Sequence, residues 1–151
     1  MPERYRKLAR DNTALVIVDC QEKLVRAMCE KEALVMNLRR LLLGARVFRL
    51  PVIATEQNPA GLGPTIGEVS ELWTAVQPVP KFSFSCCREE KFLAEMERHR
   101  PANVLLAGIE AHICVYQTAI DLLDKDIAVH VIADSVSART LENKQAALKK
   151  K

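Results

Sequence analysis

Thr13-Ala-Leu-Val-Ile-Val18, running straight into Asp19, is the stretch on which the fold turns. The run is apolar and β-rich with no polar alternation, so it suits a strand covered on both faces, as in a parallel sheet. Downstream, Leu34, Val35, Leu38, Leu41, Leu42, Ala45 and Phe48 recur at helical spacing, with Arg39, Arg40, Arg46 and Arg49 falling mainly between them. This predicts an amphipathic helix over 32–50, stopped by Pro51, and a second strand over 52–55. Pro59, Gly61, Gly63, Pro64 and Gly67 mark a long irregular loop, of the kind that usually serves a site. A third strand is read at 79–81, a helix at 88–99, a fourth strand at 103–107 and a helix at about 112–123. A fifth strand follows at 127–133, with Asp134-Ser-Val-Ser137 after it, and a last helix over 141–150 ends in lysines, as the helix dipole prefers. Strand alternating with helix predicts an α/β fold: a three-layer α/β/α, Rossmann-like domain with a mainly parallel sheet. Ligands on such sheets bind beyond the carboxyl ends of the strands, where Asp19, Glu56, Lys81 and the 108–114 segment fall.

The bulk numbers restrict the partners. A chain of 151 residues with 49% hydrophobic and 27% charged residues is read as one domain, 1–151. Its formal charge of +3 is matched by the three terminal lysines Lys149, Lys150 and Lys151, so no nucleic-acid surface is expected. No apolar run is long enough to span a bilayer, and no secretory signal follows Met1. Five cysteines, at 20, 29, 86, 87 and 114, form neither a disulfide framework nor a zinc knuckle, which suits a reducing compartment. A cytoplasmic protein is expected; Arg4, Arg6 and Lys7 leave mitochondrial targeting as the alternative.

Three residues stand out chemically. Cys114 falls in the first turn of a helix after a strand and a glycine, where the dipole would favour a thiolate and lower its pKa. The competing reading is a buried cysteine packing as a small hydrophobe. Asp19 ends an apolar strand, as a general base or as a cap for the next helix. Lys81, by default, is a solvated lysine. His99, His112 and His130 share no ligand spacing, which argues against a metal, and no glycine-rich phosphate loop supports a nucleotide cofactor. His112, two residues before Cys114, reads as a rim residue.

Thr13-Ala-Leu-Val-Ile-Val-Asp19-Cys-Gln21, Lys81-Phe-Ser-Phe-Ser85, Gly108-Ile-Glu-Ala-His-Ile-Cys114-Val-Tyr-Gln-Thr118-Ala119 and Asp134-Ser-Val-Ser137 together resemble the isochorismatase-like cysteine hydrolases. The resemblance runs over about residues 13–148, and Thr55-Glu-Gln-Asn-Pro-Ala-Gly-Leu-Gly-Pro-Thr65 is most similar to the isochorismatase-domain-containing proteins. It implies a catalytic triad of Asp19, Lys81 and Cys114: Asp19 takes the thiol proton, Lys81 stabilises the thiolate, and Cys114 attacks a carbonyl carbon. It also implies an oxyanion hole from the backbone N–H groups of Glu110 and Cys114, with a cis peptide at Ile109-Glu110. Gln57, Phe82, Glu110 and Tyr116 are the expected pocket residues. Metal-dependent nicotinamidases of this superfamily carry Asp-x-His where this chain has Glu56-Gln57-Asn58, so no metal and no cofactor are expected. Relatives of this type usually continue with a further strand and helix, so five strands are expected here instead of six, whether as a fragment or a short form. Strand five would then form an edge.

The function expected is hydrolysis of a small amide, ureide or related C–N bond in a small-molecule substrate, by a homo-oligomer. The alternative is a catalytically inactive interaction protein of the same fold. Cys114→Ala and Asp19→Ala are each expected to abolish turnover and leave the thermal melt nearly unchanged.

Overall fold

The computed structural model describes residues 6–149. Arg4 and the two final lysines, to which the sequence assigns targeting and charge, lie outside the described residues. Strand β1 (Thr13–Val18) is buried along its whole length. It is followed by a short helix α1 (Glu22–Val25), the long α2 (Lys31–Val47) and β2 (Val52–Gln57). The loop expected over 58–67 contains α3 (Pro59–Leu62), and α4 (Gly67–Ser70) comes directly after it. Then come β3 (Val79–Lys81), a 3-10 turn Cys86–Arg88, α5 (Glu90–His99) and β4 (Asn103–Ile109). A π-helical turn, Ala111–Val115, leads into α6 (Tyr116–Asp124), and β5 (Ala128–Ser137) and α7 (Leu141–Lys149) complete the chain.

The five strands are parallel in the order β3-β2-β1-β4-β5, with β1 at the centre. That position accounts for its unbroken apolar run. Leu15 and Ile17 pack on one face with Leu34, Leu38, Leu42 and Ala45 of α2. Val16 and Val18 pack on the other with Phe92 and Met96 of α5 and Leu122 of α6. This period-two division of one strand between two cores produces the three layers.

Strand β5 is longer than the sequence indicates. After a register shift between Leu106 and Gly108, pairing resumes at Gly108 with Val136 and at Ile109 with Ser137. Asp134–Ser137 therefore lies within the strand rather than after it. Its exposed stretch, with Val131 at 39% accessibility, hid the strand's full extent from a hydrophobicity reading. Among the described residues β5 pairs with β4 alone, as expected of an edge.

Register determines what stands at the carboxyl end. Val18 pairs with Thr55 on one side and with Gly108 on the other, and Gln57 pairs with Lys81. Asp19, Gln57, Lys81 and the chain leaving β4 consequently meet at one rim of the sheet. No helix among the described residues is long and apolar enough to cross a membrane.

Candidate active site

Asp19 follows β1 in the left-handed region, at φ 51°, which aspartate tolerates better than most side chains. It does not cap α1: Gln21 occupies the N-cap. Asp19 Oδ1 instead accepts a hydrogen bond from Thr55 Oγ1 at 2.8 Å, and Oδ2 faces Lys81 Nζ at 2.9 Å. Both ionic side chains are buried, Lys81 at 0% and Asp19 at 1% accessibility.

Lys81 is therefore far from a solvated lysine. Its Nζ donates to Gln57 Oε1 at 2.5 Å, Ser83 O at 2.8 Å, Phe84 O at 3.0 Å and Cys114 Sγ at 3.4 Å. The two carbonyls reach it because Glu89 Oε1 ties down the turn after β3, accepting from Phe82 N at 2.9 Å and from Ser83 N and Oγ. Burial alone would lower the pKa of Lys81, but Asp19 and Cys114 outweigh it and hold the ammonium above its ordinary range. Burial pushes Asp19 above the usual carboxylate range even with Lys81 beside it, which makes it a stronger base.

Cys114 lies in the π-helical turn after the cis peptide Ile109-Glu110. Glu110 O accepts from Ile113 N at 3.1 Å and Val115 N at 3.2 Å, which draws the turn tight and leaves Cys114 against Lys81. The thiol and the Asp19 carboxylate thus share one ammonium, that of Lys81. The pKa expectation changes here. Burial first, and Asp19 second, push the thiol up to about 11, where the sequence argument from a helix N-terminus predicts a lowered value. A buried thiol facing a carboxylate keeps its proton in the free protein.

Asp19 and Cys114 border a cavity of about 150 Å³, walled by Leu24, Met28, Phe84, Ile109 and Ile113 as well as Gln57, Glu110 and Arg139, with Lys81 behind them. Of the expected pocket residues, Gln57 and Glu110 line it. Phe82 does not: it is 73% exposed. Tyr116 starts α6 and also does not line it. His112 is half-buried with Nδ1 enclosed, and does not border the cavity. Glu56, at the nicotinamidase ligand position, accepts from Thr65 N and Oγ1 at 2.7 and 2.8 Å, a loop-fixing role. Among the described residues no three His, Cys, Asp or Glu side chains group as a metal site.

Sequence reasoning missed Thr55, Gln21 and Arg139. Gln21, fully buried, donates to Gln57 O and Gly63 O at 2.8 Å and accepts from Gln57 N, joining the start of α1 to β2 and its loop. A glutamine two residues after Asp19 was the only signal for it. Removing Asp19 exposes the energetics of this arrangement. Asp19→Ala leaves the Lys81 ammonium buried without its counter-charge and is expected to cost about 3–5 kcal/mol of stability, read from the urea midpoint. Burial thus overturns the expectation that the melt would stay nearly unchanged.

The Isochorismatase domain family model matches residues 13–150. Isochorismatase domain-containing protein 2 of Danio rerio is 37% identical over 142 residues, which are 94% of this chain and 71% of that protein. Isochorismatase domain-containing protein 1 of Salmo salar is 39% identical over 137 residues, 90% of this chain; the chain spans about half of that relative, 48%. Among solved structures, the protein named MAR1 ribonuclease from Caenorhabditis elegans superposes with a TM-score of 0.90 at 35% identity, covering 95% of this chain and 74% of that one.

Proposed function

The chain belongs to the isochorismatase family, and from that premise we propose that it is a cysteine hydrolase cleaving a small amide or related C–N bond, with Cys114 as nucleophile. The observation that carries the reading is the convergence of Asp19 and Cys114, both at the wall of a small cavity, on the buried Lys81 ammonium.

The chemistry uses only protein groups and water. The Cys114 thiol proton passes to Asp19 as sulfur bonds to the carbonyl carbon, and the carbonyl electron pair moves onto oxygen. Backbone N–H groups of Glu110 and Cys114 hold that oxygen. Collapse breaks the C–N bond, and the departing nitrogen takes the proton back from Asp19. Water then adds to the thioester, giving a proton to Asp19, and a second collapse releases the acid and returns the thiol. Lys81 stays protonated throughout and fixes Asp19 and sulfur relative to each other. With the resting thiol at about 11, the proton leaves only as the S–C bond forms, which slows alkylation and oxidation of an idle enzyme at neutral pH without preventing them.

A nucleic-acid substrate fits less well, because the cavity holds only about 150 Å³ and the one cation lining it, Arg139, is paired with Glu110. We further propose that the chain self-associates, since Val47 and Phe48 at the end of α2 stay 74% and 58% exposed; light scattering at the monomer mass would remove that part.

The test is a screen of small neutral amides for ammonia release, with intact mass spectrometry to trap an acyl adduct. An adduct on Cys114 that decays at the turnover rate is expected. Iodoacetamide labelling of Cys114 in the free protein should meanwhile rise with pH towards about 11. If no amide turns over and the thiol stays inert across that range, the reading falls. An interaction protein of the same fold would then take its place.

A further inference from the structure

The charged residues bordering the cavity, Asp19, Glu110 and Arg139, all belong to closed ion pairs, two in number. The inner one is Asp19 with Lys81, both buried. The outer one joins the first residue after β4 to the segment leaving β5. Glu110 Oε1 accepts from Arg139 N at 3.1 Å and lies 3.4 Å from Arg139 Nε. Glu110 is mostly covered, at 12% side-chain accessibility, while the Arg139 side chain is 65% exposed. Between the pairs the wall is apolar, from Leu24, Met28, Phe84, Ile109 and Ile113.

A ligand entering this space therefore meets charges that already cancel. A carboxylate would lose water against apolar carbon and find each cation engaged, which is costly. A neutral carbonyl compound with a short apolar chain loses little and covers the wall. About 150 Å³ is roughly five water volumes, room for an acyl group of a few carbons.

We propose, building on the nucleophile assignment above, that this cavity selects small uncharged carbonyl substrates over anionic ones of equal size. Glu110 sets the selection by neutralising Arg139 at the cavity wall. Without the glutamate charge, Arg139 becomes an anchor for an anion; without the arginine, Glu110 repels one. The two substitutions push selectivity in opposite directions, which general damage to the fold does not do.

Iodoacetamide and iodoacetate provide the measurement, being near-isosteric neutral and anionic reagents for the same sulfur. Their labelling rates at Cys114 are compared in the wild-type protein and expressed relative to the same ratio for a free small-molecule thiol. The wild type should favour the neutral reagent about tenfold more than the free thiol does, the scale of one unit charge met across a few ångströms at a partly covered site. E110Q keeps an acceptor for Arg139 N and should bring the ratio down by about tenfold. R139Q should raise it. A wild-type ratio equal to that of the free thiol overturns the selection alone, as does a ratio that both variants leave unmoved or shift the same way. Inertness of Cys114 to both reagents overturns the nucleophile assignment, and this proposal with it.

Discussion

Cys114→Ala should remove amide turnover by at least about 10³-fold in kcat/KM, equivalent to about 4 kcal/mol of lost transition-state stabilisation. The size follows from the site having one nucleophile. Cys86 is buried beside Thr55, and burial pushes its thiol up to about 12; Cys20 is completely enclosed. Neither borders the cavity, so neither can substitute. The fold should hardly notice. Cys114 keeps 8% accessibility, and its loss still leaves Lys81 facing Asp19, Gln57 Oε1, Ser83 O and Phe84 O. A melting midpoint close to wild type together with lost turnover is therefore the expected pair of results. Turnover that survives in Cys114→Ala removes the covalent route.

Gly108→Ala should do the reverse, acting on the fold first and on the site through it. Gly108 sits opposite Val18 at φ +116°, a conformation that L side chains rarely adopt. A methyl group there would lie 2.2 Å from Val18 O and 2.5 Å from Val18 N, both backbone atoms of the central strand. Neither can rotate away as a side chain would. Strain and overpacking add, so the loss should reach about 4 kcal/mol or more, among the largest single-substitution effects. Urea denaturation measures it. A loss under about 1 kcal/mol would mean that β1 and β4 separate easily at this point. The pairing that suffers carries Asp19 on one strand and Glu110 on the other.

The fold was legible because its signal is a period. Thr13–Val18 has no alternation, and the stretch 32–50 repeats at 3.6 residues, so strand and helix could be told apart without tertiary information. The boundaries of β5 were not, since an edge strand half open to water looks polar for part of its length. The triad was legible only through resemblance. Nothing in Val79-Pro80-Lys81 alone says that this lysine is fully buried, because its covering groups come from residues 19, 57, 83, 84 and 114. The thiol's raised pKa was illegible for the same reason: a helix N-terminus is a local feature, whereas the buried carboxylate opposing it lies about a hundred residues away. Arg139 carries no motif at all and reaches the cavity only through its pairing with Glu110.

The strand order has a kinetic side. With β1 in the middle, three of the four pairings join consecutive strands, and the one between β1 and β4 joins distant parts of the chain: Val18 meets Gly108, and Thr13 meets Asn103. A pairing across so long a span forms slowly, because the loop must close before the contacts reward it. The cavity draws on residues from Asp19 to Arg139, so it is complete only when the chain has been made through Arg139 and all five strands are in place. On a ribosome, the Cys114 thiol of a half-made chain would be bare, and it would disappear from solvent at the moment β1 and β4 join. Loss of thiol accessibility is thus a natural clock for the maturation of this domain.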